Sequence, residues 1–172
     1  MSIVRRGLKV IDSISWNVGS AARWLTAALV AVGAFDTMMR YVFNAPTVWA
    51  YETCCMLGGG TYVLGWAYTH LRRSHIRVDV LYGRLSQRGQ AVSDVILAAV
   101  FFFPLILVLM KMSIHAAIAA WKAGEVMIET YWYPPAGPFR TAVAVGVCLF
   151  FLQGVATFVR DLYFALKGVR ID

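Results

Sequence analysis

Ile96-Leu97-Ala98-Ala99-Val100-Phe101-Phe102-Phe103-Pro104-Leu105-Ile106-Leu107-Val108-Leu109-Met110 opens an apolar run that continues to Trp121 with Lys111 as its one formal charge. The run exceeds the ~20 residues a helix needs to cross ~30 Å of hydrocarbon. Residues 24–42, 48–68 and 139–164 form three further runs near or above that length. Backbone groups in lipid must be satisfied within their own segment, and none of the runs alternates as barrel strands do, so all four predict helices. Composition agrees. With 60% of residues apolar, 15% charged and a mean hydropathy of +0.65, a soluble domain of this size would carry more oily surface than it could bury. The expected fold is an all-α integral membrane protein. A single domain, residues 1–172, holds four transmembrane helices at approximately 16–42, 48–70, 92–121 and 138–165, with amphipathic segments in the membrane interface.

Arg5, Arg6 and Lys9 are followed by Asp12, Asn17 and Arg23, not by a short apolar stretch with a cleavage site, so no removable signal peptide is expected. Cys54, Cys55 and Cys148 fall inside predicted spans without Cys-x-x-Cys spacing, which reads as small buried hydrophobes ahead of a redox pair. Basic residues are lopsided. Arg5, Arg6, Lys9 and Arg23 open the chain, Arg72, Arg73, Arg77, Arg84 and Arg88 fill the middle loop, and Arg160, Lys167 and Arg170 close it. The other two loops hold only Arg40, Lys122 and Arg140, with Glu125 and Glu129. The positive-inside rule therefore places both termini and the middle loop in the cytoplasm. This spreading of the +7 net charge over three membrane-proximal segments argues against nucleic acid as a partner and for anionic lipid.

Ile3, Val4, Leu8, Ile11 and Ile14 recur at helical spacing with Arg5, Arg6, Lys9 and Asp12 elsewhere on the wheel, which suggests a helix lying in the cytoplasmic interface; a frayed terminus is the alternative. In the middle loop Ile76, Val80 and Leu81 can dip among headgroups. Ser86-Gln87-Arg88-Gly89 reads as a turn, with Ser93 or Asp94 as N-cap of the third span. Trp121, Tyr131, Trp132 and Tyr133, before Pro134-Pro135, read as an aromatic belt and a stiff turn, and Pro104 should bend the third span.

Gly58, Gly59, Gly60 and Gly65 in the second span, and Ala142, Gly146 and Gly154 in the fourth, leave little side chain between backbones and permit close helix packing, inside the bundle or against a second polypeptide. Asp36 and Arg40 stand one turn apart, and Glu52 returns to similar depth after a short connection, so an Asp36, Arg40, Glu52 cluster is expected. Paired charges that fasten two helices are a commoner use of such a cluster than a transported-ion site, although ionisable groups at membrane depth are costly unless they serve a purpose. Lys111 and His115, also one turn apart, lie toward the outer half of the third span, where Lys111 either snorkels or pairs with an acid on a neighbouring helix. His70, His75 and His115 raise a haem reading. Their expected depths oppose it, since His70 and His75 belong at the cytoplasmic boundary and His115 toward the far side. No catalytic triad, phosphate loop or metal-ligand spacing is present in the sequence, so neither enzyme nor cofactor is expected.

The phrase Arg40-Tyr41-Val42-Phe43-Asn44, then Trp49-x-x-Glu52, then His75-Ile76-Arg77-Val78-Asp79-Val80-Leu81 after the second span resembles the small membrane subunit, of DctQ type, of tripartite ATP-independent periplasmic (TRAP) transporters. The resemblance covers the four-helix plan, with its motifs concentrated between Arg40 and Leu81. Two positions depart from it. Tyr51-Glu52 stands where the family often has two acids, and Ser74 where it often has glycine, which bears on the details of the outer charge cluster.

The resemblance implies Asp36, Arg40, Tyr41, Phe43, Asn44, Trp49, Glu52, His75, Arg77 and Asp79 as structural motif residues. It implies a bacterial inner-membrane complex with a large M-type membrane subunit, which moves an organic acid or similar solute by an elevator mechanism usually driven by sodium, and a periplasmic solute-binding protein that delivers it. The small subunit would be a scaffold. Four short-looped helices without an inverted repeat or a broken helix pair make a poor pathway by themselves. Two rivals stay open: a haem-bearing membrane anchor of a respiratory enzyme, and a self-contained small exporter working as an oligomer through Glu52.

Overall fold

The computed structural model describes residues 2–72 and 85–169, with side chains from residue 5 onward. His75, Arg77 and Asp79, together with the loop residues Ile76, Val80 and Leu81, lie outside the described residues. Within these bounds the chain is all-helical, with four helices and no strand. The helices are α1 (Ser2–Tyr41), α2 (Ala50–Leu71), α3 (Gln87–Ala123) and α4 (Gly137–Lys167).

Three of them, α1, α3 and α4, are long and apolar enough to cross a membrane. The fourth, α2, has 22 residues, about 33 Å at ~1.5 Å per residue, and its apolar residues are interspersed with glycines, threonines, Glu52 and His70. Helix α1 is the surprise. Its 40 residues run unbroken for about 60 Å, so the segment expected to lie in the interface continues directly into the first span. No proline interrupts it. Its apolar stripe is used against protein: Leu8 is buried on Ala156, with Ile11, Val159 and Tyr163 around them.

Helix α3 also starts earlier than the sequence suggests. Ser86 is its N-cap and accepts a hydrogen bond from the Gly89 N–H at 3.2 Å, so Ser86-Gln87-Arg88-Gly89 is the first helical turn, and Ser93 and Asp94 lie inside the helix. Ahead of Pro104, residues Ala98–Phe102 form a π turn in which Phe103 N–H bonds the Ala98 carbonyl. Proline supplies no N–H, and widening the preceding turn is one way a helix absorbs that loss.

Helix α4 is the centre, since it packs against all three others. On α2 it meets Val63 at Gly146, where an added Cβ would stand 2.5 Å from Val63 Cγ1 and 2.8 Å from its carbonyl oxygen. Against α3, Phe102 of the π turn seats on Gly154, and Trp121 lies over Gly137. The shared core gathers Val63, Ile106 and Val147, ringed by Phe102, Phe103, Phe150 and Phe151. Helix α1 runs antiparallel along α2, with Tyr68 on Gly19, Leu25 beside Gly60 and Leu29 beside Gly58. Gly65 has nothing within 4 Å of an added Cβ, so of the glycines singled out from sequence, Gly59 (under Phe139) and Gly146 make tight contacts while a methyl at Gly65 would have open space among the described residues.

Candidate functional site

The polar groups of the bundle sit in two layers, one at each end. In the first, Arg40 Nη2 lies 3.0 Å from Asp36 Oδ2, an i, i+4 pair on α1. Asp36 Oδ1 turns the other way and accepts from both the N–H and the hydroxyl of Thr47. One carboxylate thereby ties the end of α1 to the connection that enters α2. That connection needs a left-handed residue, and Asn44 supplies it with φ of 51°, a conformation asparagine tolerates better than most residues. Trp49 stacks on Phe35 with centroids 5.9 Å apart. Tyr41 and Phe43 project outward and are exposed.

Glu52 does not join this cluster. It is fully buried in the first turn of α2, and its Oε1 accepts the Thr130 N–H at 2.8 Å. Oε2 has no hydrogen-bond partner among the described residues. The expected Arg40 to Glu52 pairing is thus replaced by two separate ties. Arg40 is satisfied within its own helix, and Glu52 reaches across to the connection between α3 and α4. That connection is itself ordered: Met127 N–H bonds Pro134 O, Ala136 N–H bonds Glu125 O, Arg140 pairs with Glu125, and Trp121 Nε1 donates to Thr141 Oγ1 at 2.8 Å. Between it and the helices lies a cleft of about 420 Å³ lined by Glu125, Glu129, Phe139 and Arg140 among others.

The layer at the opposite end escaped the sequence reading. Arg160 of α4 grips Asp12 of α1 with both terminal guanidinium nitrogens, Nη2 at 2.6 Å and Nη1 at 3.2 Å. Gln153 Nε2 donates to the same Asp12 at 3.1 Å, and its Oε1 accepts from Ser15 at 2.8 Å. Ser15 and Gln153 are both fully buried. A glutamine in an otherwise apolar run was the available signal. Arg88 donates to the carbonyls of Ala165 and Leu166, so the first turn of α3 caps the last turn of α4, where helix carbonyls otherwise lack partners. Arg72 lies over Trp16, 4.7 Å from its centroid, and Trp16 packs on Tyr68.

The described residues bring no group of three or more His, Cys, Asp or Glu together. His70 sits among rings, stacked on Phe102 and edge-on to Phe150, while His115 is exposed on α3. The arrangement fastens helices: charges and hydrogen bonds lock both ends of the bundle, and aromatic and glycine contacts fill the middle.

Residues 29–163 match the family described as tripartite ATP-independent periplasmic transporters, DctQ component, a stretch that includes the C-terminal part of α1 from Leu29 onward and all of the other three helices up to the last turn of α4. Among curated proteins no match is found.

Proposed function

The chain belongs to the DctQ component family of tripartite ATP-independent periplasmic transporters, and from that premise we propose that it is the small scaffold subunit of a binding-protein-dependent uptake system in a bacterial inner membrane. In this reading all four helices cross the bilayer, α2 included, with both chain ends and the connection after α2 on the cytoplasmic side. A large M-type subunit carries the solute, an organic acid or a similar small molecule, by elevator motion driven by an ion gradient such as sodium, and a periplasmic protein delivers it.

The observation that carries the scaffold role is the double fastening of the bundle. An elevator needs a body that stays still while the carrier slides. Here α1 is tied to α4 by Asp12, Ser15, Gln153 and Arg160 at one end. At the other, Asp36 holds the α1 to α2 connection and Glu52 holds the α3 to α4 connection. Deforming this bundle means breaking bonds at both ends together, and the buried ones are costly to leave unmade.

The test is uptake in proteoliposomes that hold the large subunit with and without this chain, supplied with binding protein, solute and a sodium gradient. The scaffold reading expects uptake only when both are present. Full-rate uptake without this chain would sink it, and uptake by this chain alone would favour the exporter.

A further inference from the structure

Lys111 is the one formal charge in the long apolar stretch of α3, and no described residue of its own chain answers it. It is exposed on the outer face of the bundle and makes no hydrogen bond or ion pair with any described residue. Its neighbours on that face are Leu107, Val108, Ile118 and His115, all exposed as well.

Depth removes the easy escape. Trp121, with its exposed ring hydrogen-bonded to Thr141, marks the aromatic level at the nearer boundary. Ten residues, about 15 Å of helix, separate it from Lys111. Asp94, toward the other end, is about 26 Å away by the same rise. A lysine side chain is shorter than either distance. It also leaves the helix tilted toward the N-terminus, which for α3 is the farther boundary. Snorkelling to the nearer headgroups therefore works against both length and direction.

Among the described residues, a second copy of this chain offers no acid that could answer the charge. Of its nine acids, Asp36, Glu52, Glu125 and Glu129 lie at one end of the bundle and Asp12, Asp94 and Asp161 at the other, while Asp79 and Asp172 fall outside the described residues. No described acid stands exposed at the depth of Lys111.

Resting on the scaffold reading, we propose that the α3 face formed by Leu107, Lys111, His115 and Ile118 is a docking surface for the large membrane subunit, and that an Asp or Glu carboxylate on a helix of that subunit pairs with Lys111. An ammonium in hydrocarbon is retained where it meets an opposite charge, and the apolar residues around it would exclude lipid and water from the pair. His115, one turn toward the outer side, would flank the same contact.

The test is co-purification of the large subunit with affinity-tagged versions of this chain from co-expressing membranes. Lys111→Glu should retain at least tenfold less partner than wild type. Lys111→Cys, in a background with Cys54, Cys55 and Cys148 replaced by alanine, should show the same loss. Aminoethylation of the new thiol with a methanethiosulfonate reagent should restore retention, and the uncharged methyl reagent should not. Melting of each variant as an isolated chain separates docking from folding: Lys111→Met should melt at or above wild type yet lose the partner. Wild-type retention by Lys111→Glu overturns the pairing while leaving the scaffold role intact, whereas a wild-type chain that retains no large subunit overturns both. Retention that disappears in purely zwitterionic nanodiscs and returns with anionic lipid overturns the pairing in favour of a headgroup.

Discussion

Thr130 donates its backbone N–H to Glu52 Oε1 across 2.8 Å, joining the connection between α3 and α4 to the first turn of α2. The two residues are 78 apart in sequence. The carboxylate is fully buried, and its second oxygen finds no donor in the described chain. One oxygen thus performs a structural task that a neutral side chain could share, while the other is a buried acceptor left without compensation.

Glu52→Gln and Glu52→Ala should therefore separate. Glutamine keeps an acceptor for Thr130 and removes the formal charge, so its melting temperature in detergent should equal or exceed that of wild type. Alanine leaves the Thr130 N–H unmet and should cost about 1–3 kcal/mol. Helical circular dichroism during thermal unfolding measures both. If glutamine is as damaging as alanine, the negative charge itself is required, and the structural account of Glu52 is wrong.

The Asp12 to Arg160 tie predicts coupling. The pair is bidentate and only about a quarter exposed on either side, which places it above the weak surface class. Asp12→Arg and Arg160→Asp should each destabilise the bundle by about 1–3 kcal/mol. The double reversal should recover at least about 1 kcal/mol relative to their sum. Simple additivity would show that Gln153 and Ser15 hold α1 to α4 without help from the charges.

How legible this was in sequence depended on how local each feature is. The helices follow from apolar runs, and the Asp36 to Arg40 contact from one turn of spacing, because both are set within a few residues. Glu52 was assigned to the wrong neighbour since depth alone put it near Arg40, whereas the direction of its side chain depends on how α2 is rotated against α4. That rotation is set by Gly146 on Val63 and Gly59 under Phe139, contacts between residues far apart in the chain. The Asp12, Gln153, Arg160 layer was missed for the same reason: Gln153 stood out in its apolar run, but its partners are named only by α1 being one unbroken helix that reaches α4. The motif residues His75, Arg77 and Asp79 lie outside the described residues, so their part in the site rests on the family resemblance.

Orientation can be read by chemistry. In a background without native cysteines, single cysteines at Glu129 and Ser86 should divide: a membrane-impermeant maleimide added to whole spheroplasts should label the first and miss the second. The expectation comes from the basic residues gathered around Arg72 and Arg88 against the acids Glu125 and Glu129, together with the positive-inside rule. The opposite pattern would invert the proposed topology and with it the assignment of Glu52 to the periplasmic side.

Gly146 and Gly65 offer a matched pair, because both are helical glycines in the apolar middle and only one is enclosed. A Cβ at Gly146 would meet Val63 Cγ1 at 2.5 Å, a side-chain atom that can rotate away, but also the Val63 carbonyl oxygen at 2.8 Å and carbon at 2.9 Å, which cannot. Gly146→Ala must therefore push α4 away from α2, loosening the core around Val63, Ile106 and Val147, at a cost of about 1–3 kcal/mol for overpacking. At Gly65 the same methyl meets nothing within 4 Å. Gly65→Ala should leave stability unchanged or raise it by up to about 1 kcal/mol through helix propensity. Unfolding titrations with a denaturing detergent, read by the helical signal, compare the two directly. Equal effects at both positions would mean that the α2 to α4 contact does not hold this bundle together.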